Sequence, residues 1–294
     1  MSLDSKLQQN SKKNTKRLGL TPTFFIIEGV VFLSAQFLGL YIASRIYEVV
    51  EVQEMLAEQS VSIVNFLIIF FIGTAALFIL TKIIKRKGIF GFLFYLMIFF
   101  GSLIFFDSFL PIYLTLLLAI TVPLLRYFLP NILTQNIAIV ISIIGASVYL
   151  GLGLSSLQVI ILLVVLSVYD FIAVHKTGHM VSMFKNLASK GALFSLVIPS
   201  KFKNLGAKIK TKEIKSSGEF MFLGTGDIAF PLIFAVSLLK ENIWSSFFII
   251  GGAFLGVNLI YFYFLITKKR KAVAALPPIA FGSIIGYLIS LLLV

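Results

Sequence analysis

Hydrophobic positions along the chain gather into long unbroken runs, not into the alternating pattern of half-buried strands. Nine runs stand out, at approximately Pro22–Ala43, Ser62–Thr81, Ile89–Phe106, Phe109–Phe128, Thr134–Leu154, Leu157–Val174, Glu219–Leu239, Ser245–Thr267 and Val273–Val294. Each has about the 20 residues that a helix needs to cross a bilayer core of about 30 Å. The pattern predicts an all-α membrane protein of nine transmembrane helices. Only Asp107 and Ser108 separate runs three and four, a tight helical hairpin. Gly151, Gly153, Ser155 and Ser156 join runs five and six in another tight turn. Residues 1–20 are polar and rich in Ser, Lys and Asn, as expected of a disordered cytoplasmic tail. A basic loop, residues 175–218, divides the spans into two groups, 21–174 and 219–294.

Composition agrees with this picture. Of 294 residues, 59% are hydrophobic and only 13% charged, against about 45–50% and about 25% in soluble domains. There is no cysteine, which removes disulfides, thiol nucleophiles and Cys-based metal centres. The net charge of +13 would suggest nucleic acid in a soluble protein. Here it sorts by topology. All but Arg45 and Lys240 of the 25 lysines and arginines fall on one side of a nine-span chain. They lie in the N-terminal tail, residues 82–87, Arg126, the loop 175–218 and Lys268–Lys271. The positive-inside rule makes that side, and the N-terminus, cytoplasmic and the C-terminus external. Glu48, Glu51, Glu54 and Glu58 then lie outside, and Trp244 anchors the outer interface. The expected environment is a lipid bilayer, with no nucleic-acid partner.

Two acids break the apolar pattern. Asp170 follows Ser167-Val168-Tyr169, and Asp227 follows Gly224-Thr225-Gly226. An ionised aspartate at the centre of a spanning helix costs about 2.5–3.5 kcal/mol on insertion scales. Asp170 lies near the cytoplasmic end of run six and Asp227 near that of run seven. Both fall roughly 6–12 Å below the surface at 1.5 Å per residue. Two carboxyl groups that share one proton are the minimal machinery of aspartic-protease hydrolysis. Transport of cations or protons is the other reading of intramembrane acids. No Lys or Arg in a span interior pairs with either. Gly224 and Gly226 remove side chains just before Asp227 and permit close approach or local unwinding. A protease needs such unwinding, because it must hold an extended stretch of substrate, as an added strand for example.

Tyr169-Asp170, then Gly224-Thr225-Gly226-Asp227, then a Leu-Pro element in the last span resemble the presenilin/signal peptide peptidase family of intramembrane aspartyl proteases. The resemblance covers all nine spans in order, with the long loop between the two aspartate spans. It implies that Asp170 and Asp227 are the catalytic pair, supported by Tyr169, Gly224 and Gly226. The family's Pro-Ala-Leu motif is similar to Ala274-Ala275-Leu276, followed by Pro277; alanine replaces the first proline. The resemblance therefore implies substrate binding at Ala275, Leu276 and Pro277. Thr225 stands where the family often has leucine. Orientation matches the presenilin branch. The absence of a signal peptide, the short loops and the compact length suggest a prokaryotic, archaeal homologue in a cell membrane. Its partner would be the transmembrane helix of a substrate protein. No metal or cofactor is expected. Two readings stay beside this one: a cation channel or proton-coupled transporter using the same acids, and a prepilin-type peptidase, which also uses a Gly-x-Gly-Asp acid.

Other residues carry blander expectations. Glu28 is read as an acid that snorkels to the cytoplasmic face, with hydration of the catalytic cavity or a bond to a loop lysine as the other readings. His175 and His179 have helical spacing, but Lys176-Thr177-Gly178 lacks the glutamate of a zinc-protease motif. Gln36 and Asn258 are expected to hydrogen-bond across helices. Ser167 and Thr225 read as packing residues. The apolar patch Ala192–Ile198 is expected to cover the site or lie on the membrane. Pro277 is expected to leave a carbonyl of a preceding helical turn unpaired.

Overall fold

A computed structural model of the chain describes residues 22–48, 62–84, 87–209, 220–267 and 272–293. The N-terminal tail, Glu51, Glu54, Glu58, Lys85, Arg86, Glu219 and Lys268–Lys271 lie outside the described residues. Ten α-helices follow in order: α1 (Pro22–Tyr47), α2 (Ile63–Ile83), α3 (Lys87–Asp107), α4 (Ile112–Phe128), α5 (Ile132–Gly153), α6 (Ser156–Phe171), α7 (His179–Ser189), α8 (Thr225–Ser237), α9 (Ile243–Thr267) and α10 (Leu276–Leu293). A π-helical turn, Ile172–Lys176, extends α6. Two strands, β1 (Ser195–Pro199) and β2 (Phe220–Gly224), stand between α7 and α8.

Among the described residues, seven helices are long and apolar enough to cross a membrane: α1, α2, α3, α5, α6 with its π-turn, α9 and α10. Two shorter apolar helices, α4 and α8, fall at the other two expected spans. Pro111 caps α4 at its start, and Pro130 lies just past its end, where helices tend to stop. α8 is short because the chain enters it as a strand. The expected seventh helix from Glu219 is corrected here: Phe220–Gly224 is extended. The helix begins only at Thr225.

The all-α expectation therefore gains a two-stranded ribbon. β1 pairs antiparallel with β2, with Ser195 opposite Gly224 and Val197 opposite Phe222. Every residue of β1 is buried, so Ser195–Ile198 of the apolar patch Ala192–Ile198 is a strand in the core and not a surface cover. Its far edge is closed by side chains of α5. Asn136 Oδ1 accepts from Val197 N–H and its Nδ2 donates to Val197 O, both at 2.9 Å. Gln135 Nε2 donates to Leu193 O at 2.7 Å, and Arg126 Nε donates to Gln135 Oε1. Since Val197 turns its backbone polar groups to α5, Phe222 opposite it must turn its own away from β1. Among the described residues, no other backbone pairs with the outer edge of β2.

The connections sort to two ends of the bundle. At one end Lys190 Nζ donates to the carbonyls of Thr81 and Ile84 that finish α2. There too Ile209 N–H donates to Pro130 O and Ile132 N–H to Ala207 O. At the other end Ser156 Oγ donates to Glu241 Oε1 at 2.8 Å, and Lys240 Nζ donates to Leu152 O. Helix directions follow this sorting. α1 and α8 run parallel, with Gln36 against Ile228 and Gly39 against Leu232. α9 and α10 run antiparallel and touch backbone to backbone: a Cβ built at Gly252 would lie 2.0 Å from Gly282 O. Only glycine permits that approach, as is common between membrane helices.

The core lies among α1, α3, α5 and α8, with Phe32, Phe94, Ile139 and Leu232 fully buried. α2 is the outlier. Thr81 is its one buried residue, and its face of Ile68, Ile69 and Ile72 is open, as suits a helix bathed in lipid.

Candidate active site

α6, α8 and α10 pack mutually and bring the two aspartates together. Asp170 is the penultimate residue of α6 and is 7% exposed. Its Oδ2 accepts a hydrogen bond from the backbone N–H of Leu276 at 3.3 Å. Leu276 opens α10, so this N–H is one of the donors that a helix start leaves without an intrahelical partner. Asp227, the third residue of α8, turns back on its own helix start. Its Oδ2 accepts from Gly224 N–H at 3.2 Å, the bond that an acid at this position makes in a capping box. Asp227 lies within electrostatic range of Asp170. Among the described residues, no side chain or backbone group bonds the Oδ1 of either carboxyl.

The strand-to-helix junction explains the glycine beside the acid. Gly224 ends β2 and precedes α8. A Cβ there would sit 2.9 Å from Asp227 Oδ2, so any side chain would push the carboxyl aside. Gly226 is less critical, since its nearest contact would be the flexible Phe230 ring at 3.1 Å. Thr225 is the first helical residue, with no bond to either aspartate among the described residues.

Tyr169 packs edge-on against Phe71 of α2, ring centroids 5.5 Å apart. Its hydroxyl lies 2.9 Å from His179 Nε2. His175 stacks on Phe171 at 4.8 Å. The helical spacing of the two histidines does not survive, because the π-turn and a left-handed Gly178 (φ 62°) separate them.

Ala275 precedes α10 directly, with Leu276 buried at its first position and Pro277 in its first turn. Proline suits that turn. Residues 272–275 are not helical, so there is no preceding turn for Pro277 to open, and that expectation is corrected. What this element brings to Asp170 is the Leu276 N–H.

Glu28 departs from the snorkelling expectation. It is 6% exposed and lies within electrostatic range of both Asp227 and Tyr261. Whether a helical acid snorkels or turns inward depends on helix rotation, and α1 is apolar nearly all round. Gln36 does bond across helices, Nε2 to Ile228 O at 2.9 Å. Asn258 does not: its Nδ2 donates to Phe254 O of the preceding turn at 2.7 Å. Sequence reasoning missed Gln135 and Asn136 and weighed His179 only as a metal ligand. Two adjacent amides inside an apolar run were the available signal for the first pair.

The family model described as "Signal-peptide peptidase, presenilin aspartyl protease" matches residues 24–294. A structure titled as a presenilin family intramembrane aspartate protease, in a C222 crystal form, superposes with a TM-score of 0.62 at 22% identity. It covers 92% of this chain and 98% of that one. A second structure with the same description, in a P2 form, gives the same TM-score and identity over 90% and 96% of the two chains. These likenesses speak for the fold. A comparison with curated proteins gives no significant match. On the match over residues 24–294, the chain belongs to the signal-peptide peptidase and presenilin family of aspartyl proteases.

Proposed function

We propose that this intramembrane aspartyl protease hydrolyses a peptide bond inside a transmembrane segment, with Asp170 and Asp227 as its acid/base pair. The observation that carries the reading is the pairing itself. Two carboxyl groups from different helices meet at one end of the bundle, each with one oxygen engaged by a backbone N–H and the other open. One carboxylate takes a proton from a water whose oxygen attacks the scissile carbonyl carbon. The other, as acid, gives its proton to the carbonyl oxygen, leaving a neutral diol. The C–N bond then breaks as the first carboxyl protonates the amine, and a diol proton returns to the second. The pair titrates as a unit.

The outer edge of β2 supports an extended substrate. Phe222 and Gly224 turn their polar groups to that edge, and Gly224 already donates to Asp227. A strand added there would run directly past the carboxyls. Ala275, Leu276 and Pro277 border the same site, and Tyr169, Gly224 and Gly226 shape it.

The reading includes nine membrane crossings, with the N-terminus cytoplasmic, in a prokaryotic cell membrane. Parallel α1 and α8 and antiparallel α9 and α10 support that alternation. Spans 21–174 and 219–294 form the two groups on either side of the segment 175–218. Family membership disfavours the channel, transporter and prepilin-peptidase alternatives.

The test is incubation of the purified chain with a model transmembrane peptide, read by mass spectrometry. Wild-type protein should release two fragments cut within the apolar stretch, and Asp227→Ala none. Equal cleavage by both proteins would refute the assignment.

A further inference from the structure

The π-turn Ile172–Lys176 widens the chain just after Asp170, where a helix end would ordinarily fray. A closed chain of hydrogen bonds runs back across it. Thr177 Oγ1 donates to Ala173 O at 3.3 Å. Its lone pairs are then left to accept from His179 Nδ1, 2.7 Å away. With the proton on Nδ1, Nε2 is an acceptor, and the Tyr169 hydroxyl 2.9 Å away donates to it. With the proton on Nε2 instead, Thr177 donates to Nδ1 and Nε2 donates to the Tyr169 oxygen, so either tautomer keeps His179 bonded to Tyr169. Gly178, at φ 62°, lets the backbone turn so that His179 returns to Tyr169. The imidazole is also pinned from outside, edge-on to Phe78 of α2 at 5.4 Å and to Tyr169 at 5.7 Å.

We infer that His179 is a positioning residue for catalysis: its Nε2 holds the Tyr169 hydroxyl and so fixes the last turn of α6, on which Asp170 sits. The inference rests on the assignment of Asp170 and Asp227 as the catalytic pair. His179 reaches no reacting atom. It acts because Tyr169 precedes Asp170, and Ala173, where the chain of bonds ends, follows it by less than one turn. Without the clasp, Asp170 still has the Leu276 N–H but can swing about it. A small error in carboxyl placement is costly to an acid/base pair that must address one water and one carbonyl.

The experiment is a double-mutant cycle on the full chain in detergent, with a model transmembrane peptide as substrate and Asp227→Ala as control. His179→Phe keeps a ring against Phe78 and removes both nitrogens. Tyr169→Phe removes the hydroxyl alone. Each should lower kcat about fivefold to tenfold, the effect of one lost part-buried hydrogen bond, with KM within about twofold. The double variant should be no slower than either single, because both remove the same bond. His179→Gln, whose Oε1 can stand near the Nε2 position, should recover most of the rate. Multiplying effects, a His179→Phe enzyme at wild-type rate, or a Gln variant as slow as the Phe variant would each overturn the inference. If His179→Phe does not insert, Tyr169→Phe alone and with His179→Gln complete the same cycle; a further loss in the pair overturns it. Cleavage by Asp227→Ala would instead remove the catalytic-pair assignment and is read separately.

Discussion

Asp227 and Gly224 are a single structural unit, and their chemistry depends on one missing methyl group. The Gly224 N–H holds Asp227 Oδ2 at 3.2 Å, and a Cβ at Gly224 would lie 2.9 Å from that same oxygen. Gly224→Ala should therefore keep the strand-to-helix junction, whose φ of −63° any residue can adopt, yet displace the carboxyl. A displacement approaching 1 Å costs on the order of 100-fold in rate. The expected result is a folded protein with kcat reduced by about that factor, measured by peptide cleavage. Asp170→Asn and Asp227→Asn should each abolish turnover, since an amide is nearly isosteric but cannot exchange the proton. Circular dichroism and gel filtration should show both variants folded as the wild type is. Measurable turnover in either would count against the pair. Both aspartates stand out in the sequence because an apolar run gives a charge no context. The burial of Glu28 was not legible in the same way, because an acid in a helix that is apolar all round has no marked face.

At the scale of elements, α10 joins two of these arguments. Its first N–H reaches Asp170, and its middle lies directly on α9 through Gly252, Gly282 and Gly286. Gly282→Leu must push α10 away from α9, where Gly252 O leaves no room. Overpacking of this kind costs about 1–3 kcal/mol. The variant should melt at lower temperature and also lose activity, because the Leu276 N–H moves with the helix. Leu276→Pro separates the two effects. Compared with Leu276→Ala, which also shortens this buried side chain but keeps the N–H, it removes the donor at a helix position that tolerates proline, so cleavage should fall further at similar thermal stability. Equal cleavage by Leu276→Pro and Leu276→Ala would mean that Asp170 does not depend on this bond. The helices were largely legible from hydropathy, with ends shifted by a few residues. The ribbon was not. Leu196-Val197-Ile198 and Phe220-Met221-Phe222-Leu223 are short apolar runs, which periodicity alone cannot assign to strand or helix. The second run also abuts α8, so the two merged into one expected span. The partners that make β1 a strand, Gln135 and Asn136, lie about 60 residues away in α5.

For the whole molecule, the decisive property is sidedness, since a site built at one end of the bundle serves only substrates presented from that side. Charge asymmetry and geometry bear on it independently. Positive residues crowd one set of connections, and connections of that set bond one another across the end of the bundle, as Lys190 does with Thr81 and Ile84. The turn at Asp107 belongs to the opposite set. Because the chain has no cysteine, one introduced thiol reports one position without background. Asp107→Cys and Ser189→Cys both fall at exposed sites, on the two ends of the bundle. In sealed inside-out vesicles, a membrane-impermeant maleimide should label Ser189→Cys and leave Asp107→Cys untouched until detergent is added. Right-side-out vesicles should reverse the result. Labelling of both positions from one side would break the nine-crossing topology. The reversed pattern would keep the topology but turn the molecule over, moving the aspartate pair to the outer face and, with it, the side from which a substrate helix must be unwound.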